Sequence, residues 1–166
     1  MLRVLALALL LCASAIAHAQ SVLDRAKKDE LAFMDDEEPA MREAFQKARA
    51  SLDEFLSKAR SPAAGTTGYS LKVGVRDGEK VEYFWVGEFL ETATGFTGTI
   101  NNHPRIVKGV SFGQRYSFPR EHIVDWTYID RNERRMLGNF TVCALLTKEP
   151  PAEAEAAKKK YGLRCE

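Results

Sequence analysis

The apolar positions of the chain follow a helical period first and a strand period afterwards. Apolar residues recur every three or four positions at Met41, Phe45, Ala48, Leu52, Phe55, Leu56 and Ala59. This spacing predicts an amphipathic helix that begins at Pro39, where proline suits the first turn, and ends before Pro62. Because such a helix is stable when its apolar stripe is buried, a sheet or a second helix must cover it.

Beyond a loop rich in glycine and threonine, Tyr69, Leu71, Val73 and Val75 alternate with polar residues. This alternation predicts a strand with one buried face. Asp77-Gly78 predicts a hairpin turn into a returning strand. A two-residue turn at Asp77-Gly78 would set Val73 opposite Glu82 and bury a charge, whereas a three-residue loop sets Val73 opposite Tyr83. Since a one-residue slip reverses every side chain, we expect the three-residue loop.

In the second half of the domain, the sequence pattern predicts further strands at residues 96–100, 114–118, 123–129 and 140–146. Residues 105–113 are compatible with a short strand or a packed loop, and residues 132–137 with a helical turn. A closing helix runs from Pro150 to Gly162, with acidic residues early and lysines late, as the helix dipole favours. Short connections favour antiparallel pairing. We expect an α+β fold: an antiparallel sheet of about five or six strands with an N-terminal amphipathic helix and a short C-terminal helix.

The first residues of the chain are typical of a leader. Arg3 precedes an apolar run at residues 4–11, and Ala17-His18-Ala19 gives the small-x-small pattern that signal peptidase accepts. The run is short for a membrane span, no stop-transfer pattern follows, and the bulky Leu11 before Cys12 does not fit a lipoprotein signal. We expect a signal peptide at residues 1–19 cleaved after Ala19, an acidic spacer at 20–38, one domain at 39–166, and a periplasmic or secreted location with no transmembrane segment after cleavage.

Charge and cysteine content narrow the classes of partner. The full chain has 24 Lys and Arg against 23 Asp and Glu, and removing residues 1–19 removes only Arg3, which leaves the domain neutral. A neutral domain has no strong attraction for polyanions, so we expect neither nucleic acid nor anionic membrane as a partner. Cys143 and Cys165 are the two cysteines after the leader, and export favours a disulfide that contributes about 3 kcal/mol. No further ligands stand at short spacing beside either cysteine, so the sequence predicts neither a metal site nor a cofactor.

The clearest candidate binding residues form a polar tip after the strand at 96–100. Asn101, Asn102, His103 and Arg105 could present amide, imidazole and guanidinium groups to a ligand from a rigid strand end. The same residues also suit a tight turn, since asparagine tolerates left-handed conformations and Pro104 stops the ladder. Both interpretations stay open at the level of sequence.

Asp125 and Trp126 on a neighbouring strand complete the candidate set. His122 and Asp125 could form a dyad only if the strand begins after His122, because side chains alternate along a strand. The aromatic residues Tyr83, Trp85, Tyr116, Phe118, Trp126 and Tyr128 could form a platform for a sugar or peptide, although aromatic residues at strand spacing usually supply core. No nucleophile elbow or glycine-rich phosphate loop appears, so the sequence predicts no catalytic residue.

Several short motifs, in order, resemble a known family. They are the acidic-Pro helix start followed by Ala44-Phe45, then Phe84-Trp85-Val86, Gly98-x-Ile100-x-Asn102-x-Pro104, Gly113-Gln114 leading to Ile123-Val124-Asp125-Trp126, and Gly138-Asn139-Phe140-Thr141. Over residues 35–146 the chain resembles the YegJ-like domains of unknown function (DUF2314). An acidic residue would be more typical where Gln114 stands. The resemblance implies a compact α+β domain, and it implies no activity, cofactor or catalytic residue.

These observations favour an exported, non-enzymatic binding or interaction module whose partner is a protein or small ligand of the cell envelope. Its predicted surface comprises residues 101–105 together with Asp125 and Trp126. One alternative is an inhibitor or immunity-type protein against a toxin or lytic enzyme. Another is a cell-envelope hydrolase, which would require His103 or His122 beside a carboxylate in a deep pocket.

Overall fold

The computed structural model of the chain describes residues 38–165. The predicted signal peptide and all but the last residue of the predicted spacer lie outside the described residues. The elements, in chain order, are α1 (Pro39–Ala50), α2 (Leu52–Arg60), β1 (Thr66–Asp77), β2 (Lys80–Thr92), β3 (Gly95–Ile100), β4 (Arg115–Phe118), a 3-10 turn (Arg120–His122), β5 (Ile123–Asp130), β6 (Arg135–Gly138), α3 (Phe140–Leu146) and α4 (Pro151–Tyr161).

The predicted N-terminal helix begins at Pro39 as expected, but it is divided into α1 and α2 at Ser51. The Ser51 hydroxyl donates a hydrogen bond of 2.7 Å to the Lys47 carbonyl, a contact that often bends helices. The division lets both segments bury apolar residues against the sheet, including Ala48, Leu52 and Phe55. Among residues 38–165, none of the helices combines the length and the hydropathy of a membrane span.

The strands form a six-stranded sheet in the order β4-β3-β2-β1-β5-β6, with every neighbouring pair antiparallel. This confirms the predicted α+β fold. The edge strands β4 and β6 have four residues each, and short edges limit pairing with other chains. Leu163, beyond α4, forms a parallel bridge to Met136 and so covers part of the β6 edge.

The expected three-residue loop in the first hairpin is wrong. Asp77 pairs with Lys80, so the turn residues are Gly78 and Glu79, with Gly78 at φ +62°. Glu82 consequently lies opposite Val75, on the face that carries the core, and is 8% exposed. The pattern argument failed because it assumed that no charge could lie on that face. Main-chain N–H groups of residues 105–107 donate hydrogen bonds to this carboxylate.

The predicted strand at residues 140–146 is also wrong, because these residues form α3. Gly138 (φ +74°) and Asn139 (φ +56°) both adopt left-handed conformations and turn the chain out of β6. A side chain at position 138 would collide with the Trp126 carbonyl oxygen, so the turn requires glycine there. β6 takes up residues 135–137, half of the segment 132–137 that could have formed a helical turn, and residues 105–113 are a packed loop.

Phe55 of α2 lies at the centre of the aromatic core. Its ring stacks on Trp126 with centroids 4.9 Å apart and also contacts Tyr69, Phe89 and Tyr128. Among the aromatic residues considered as a platform, Phe118, Trp126 and Tyr128 are therefore core, whereas Tyr83, Trp85 and Tyr116 are half-buried.

Candidate functional site

The loop of residues 101–114, between β3 and β4, is fixed to the hairpin by the buried Glu82 carboxylate. The main-chain N–H groups of Arg105, Ile106 and Val107 donate to it at 2.9, 2.9 and 3.0 Å. Hydrogen bonds to a charged acceptor are stronger than neutral ones, and three of them compensate much of the cost of burying the carboxylate. Glu82 therefore holds the main chain of the loop in one conformation.

Side chains at both ends of the loop add to this anchoring. The Asn102 Oδ1 atom accepts a hydrogen bond of 2.7 Å from the Trp85 main-chain N–H, and the Asn101 N–H donates to the Trp85 carbonyl at 2.8 Å. Val107 and Val110 are buried in the core at 3% and 5% exposure. Asn101 and Asn102 thus attach the loop to β2.

The outer part of the loop presents an exposed aromatic pair. The rings of His103 and Phe112 stack with centroids 4.7 Å apart and an interplanar angle of 17°. Phe112 is 54% exposed and, with Leu90, is one of the two large hydrophobic side chains exposed among residues 38–165. Rigid aromatic side chains displayed by an anchored loop are typical of binding surfaces.

The sequence around this pair is basic. Residues 101–120 contain Arg105, Lys108, Arg115 and Arg120 and no Asp or Glu. Arg120 pairs with an aspartate on α2, and Arg115 donates to a main-chain carbonyl of β2. Arg105 and Lys108 lie on the loop itself and are exposed. We call His103, Arg105, Lys108 and Phe112 the loop-tip surface.

Asp125 lies elsewhere and is completely buried. Its carboxylate accepts hydrogen bonds from the N–H groups of Trp126 (2.8 Å), Phe140 (3.2 Å) and Thr141 (2.8 Å), and from the Thr141 hydroxyl (2.7 Å). Phe140 and Thr141 are the first two residues of α3, whose N–H groups have no partner within the helix. Asp125 therefore caps α3 from a neighbouring strand.

Lys72 completes a buried polar cluster with Asp125 and Thr141. It is the cross-strand partner of Asp125 on β1, is 8% exposed, and donates from Nζ to the Thr141 hydroxyl at 3.0 Å. Burial raises the pKa of Asp125, and the Thr141 hydroxyl and the Lys72 ammonium oppose that rise. Because Thr141 is 1% exposed, its hydroxyl does not face solvent, and the geometry fits a role in attaching α3 to the sheet.

The predicted site residues thus form two separate groups. Trp126 is 8% exposed, and its indole N–H donates to the Ala48 carbonyl at 3.1 Å, so it belongs to the core with Asp125. Asn101, Asn102, His103 and Arg105 lie together in the loop. Trp85 stands between the groups: its main chain bonds to the asparagines, and its ring centroid lies 5.5 Å from the Lys72 ammonium.

Comparison with known proteins is decisive about family. The profile of a family described as "Uncharacterized protein conserved in bacteria (DUF2314)" matches residues 38–165. The chain belongs to the DUF2314 family. It is similar to "Uncharacterized protein YegJ" of Escherichia coli (strain K12), with 31% identity over 121 residues, which cover 73% of this chain and 76% of the relative. No solved structure matches the chain.

The two cysteines of this DUF2314 domain are joined, as their number predicted: Cys143 and Cys165 form a disulfide with their Cα atoms 5.4 Å apart. The bond ties α3 to the segment that follows α4. Cys143 lies on α3, within the segment for which the sequence predicts a strand.

The two histidines of this DUF2314 domain differ in their surroundings. His103 is exposed and stacked, whereas His122 lies in the 3-10 turn before β5, and its buried Nδ1 atom has no hydrogen-bond partner among the described residues. β5 does begin after His122, but the Asp125 carboxylate is bonded to the start of α3. Within residues 38–165, no group of three or more His, Cys, Asp or Glu side chains could hold a metal ion.

Sequence reasoning missed Phe112 and Glu82, the two residues that define this DUF2314 loop. Phe112 is the aromatic residue of the segment between Gly109 and Gly113, and an isolated aromatic residue in a loop was the available signal. Glu82 gave no comparable signal, because its role depends on main-chain N–H groups that lie more than twenty positions away in sequence.

Proposed function

We propose that this DUF2314 domain is exported and acts as a non-enzymatic binding module that contacts a partner through the loop-tip surface. The observation that carries the proposal is Phe112, 54% exposed and stacked on His103 within a loop anchored by Glu82. An aromatic side chain held rigidly before binding loses little conformational entropy when it is buried by a partner.

The chemistry of the surface favours an envelope protein with an apolar depression and an acidic rim. Phe112 would fill the depression, and Arg105 and Lys108 would face carboxylates around it. An inhibitor of a toxin or lytic enzyme would be one form of such a module, and the identity of the captured partner would distinguish it.

Export is supported by the leader-like residues 1–19 and by the disulfide, because structural disulfides persist in oxidising compartments. The test is cell fractionation followed by N-terminal sequencing of the purified protein. We expect the protein in the envelope fraction with Gln20 as its first residue. A cytosolic protein that retains its initiator methionine would refute export.

Binding is tested by placing a photo-crosslinking amino acid at position 112 in the cell, with position 156 as the control, since Ala156 is exposed on α4. We expect a discrete crosslinked protein from position 112, strongly reduced when Arg105→Glu and Lys108→Glu are combined. Equal crosslinking from both positions, or a product insensitive to the charge reversal, would refute the loop-tip surface as the binding site.

A further inference from the structure

The strands β1 and β2 separate before either of them ends. Their ladder runs from the Asp77–Lys80 pair to the Ser70–Gly87 pair. β1 extends from that last pair back to Thr66, and β2 extends onward to Thr92, but the described ladder does not join these extensions. The sheet is therefore split between these two extensions, and each extension has one edge that pairs with no strand there.

Irregularities in both strands produce the split. Glu88 has φ +48°, and the β2–β3 register shifts between Gly87 and Leu90. At the same level of β1, Gly68 has φ +69°, and the β1–β5 register shifts between Thr67 and Ser70. Bulges bend a strand and increase its local twist, so two bulges facing one another make the strands diverge.

The structure accommodates the β2 bulge by a glycine on the next strand. A Cβ atom at Gly98 would lie 2.5 Å from Val86 Cγ1 and 3.1 Å from Phe89 Cβ. With glycine at that position, Phe89 turns inward and packs against Phe55. The split is thus built into three strands. Such bulges are over-represented at functional sites.

A cleft of about 510 Å³ opens where the strands diverge. Leu56 and Ala59 of α2 line it together with Tyr69 and Phe89, and Leu90 stands at its rim with 64% exposure. Its volume lies in the range of ligand sites, and its lining is mixed, because the charged Arg60, Glu88 and Glu91 adjoin the apolar residues. A cleft bordered by strand edges offers both apolar contact and main-chain hydrogen bonds.

We infer that the cleft binds an extended peptide segment, which pairs with the open edge of β2 and places an apolar side chain between Tyr69 and Phe89. Main-chain N–H and C=O groups at a strand edge are satisfied equally well by water or by an added strand. Strand addition uses those groups for affinity and side-chain pockets for specificity. This inference concerns a surface separate from the loop tip and does not depend on the proposed function.

The charged residues at the rim of the cleft indicate which side chains the peptide should carry. Glu91 is paired with Arg60 at 2.7 Å. The Glu88 carboxylate accepts a 3.2 Å hydrogen bond from the Thr99 hydroxyl, and Arg115 donates to the Glu88 carbonyl rather than to its carboxylate. Glu88 is therefore available for a cation, and the peptide should carry a basic residue next to the apolar one.

The experiment uses ¹⁵N-labelled protein and three short blocked peptides that share a central leucine. One has lysines beside the leucine, one has glutamates, and the third has the lysines with an N-methylated leucine that cannot donate a main-chain hydrogen bond. We expect the first peptide to shift the amide signals of residues 66–70 and 88–92. The glutamate peptide should bind at least about fivefold more weakly, as one exposed charge contact predicts.

Variants assign the binding to the cleft. Ala59→Trp should fill it and abolish the shifts, Glu88→Gln should remove the preference for lysine over glutamate, and Glu79→Gln, at the exposed hairpin turn, should change neither. Circular dichroism verifies that the variants fold. The inference would be overturned by signal shifts outside the cleft, by equal binding of all three peptides, or by no binding at all. Glu88→Gln tests the inference even if Ala59→Trp fails to fold.

Discussion

Glu82 lies opposite Val75 in the β1–β2 hairpin, so a carboxylate occupies a position that alternation reserves for an apolar side chain. Its hydrogen bonds go to the main chain of the loop that carries His103 and Phe112. The buried Glu82 carboxylate therefore attaches the loop of residues 101–114 to the hairpin. This relationship links the register of the hairpin to the candidate binding surface.

Removing the Glu82 charge should loosen the loop. We expect Glu82→Gln to destabilise the fold by about 1–3 kcal/mol, because an amide has one acceptor oxygen for N–H groups that now share two. Urea unfolding gives the free energy, and hydrogen exchange at residues 105–107 should accelerate. Glu79→Gln, exposed in the same hairpin, is the matched control. Equal stability of the two variants would contradict the anchoring role.

The buried cluster of Lys72, Asp125 and Thr141 should behave as a coupled unit. We expect Asp125→Ala to cost about 3–5 kcal/mol, because it leaves the first N–H groups of α3 without their acceptor and removes the negative charge beside the buried Lys72 ammonium. Combining it with Lys72→Met should cost less than the sum of the single changes. A double-mutant cycle by chemical denaturation measures this coupling, and additive costs would show that the two side chains act independently.

Stability should carry a pH dependence from Asp125. Burial raises its pKa in the folded state above the ordinary value of 3.8, so the folded protein binds this proton more readily than the unfolded chain does. The contribution of Asp125 to the free energy of unfolding is complete below the ordinary pKa and is lost as pH rises through the folded-state pKa. Relative to Asp125→Asn, the wild-type protein should therefore lose stability as pH rises from about 4 towards neutrality. A pH-independent difference between the two proteins would exclude a shifted pKa.

The disulfide should stabilise the C-terminal segment. We expect the Cys143→Ser and Cys165→Ser double variant to lose about 3 kcal/mol, as loop-closure entropy predicts for a bond of this sequence separation. Reductant should reproduce the loss in the wild-type protein and leave the double variant unchanged. If reductant lowered the melting temperature of both proteins equally, the effect would not arise from this bond.

The loop residues illustrate how far the candidate site could be predicted. Asn101, Asn102, His103 and Arg105 were identified as one polar tip because they adjoin in sequence, and the structure keeps them in one loop. Asp125 and Trp126 join the predicted set as residues of a neighbouring strand, and the structure places both under helices. Phe112 joins His103 because the chain between them folds back, which no local pattern records.

Local sequence patterns are enough to predict the start of the first helix at Pro39, the strand at Tyr69–Val75, the α+β class and the pairing of the cysteines. These features follow from local periodicity, proline geometry and cysteine number, which do not depend on distant contacts. Tertiary structure alone decided that residues 140–146 are helical and that Glu82 is buried. In both cases a main-chain segment needed hydrogen-bond partners, and a carboxylate distant in sequence, Asp125 or Glu82, supplied them.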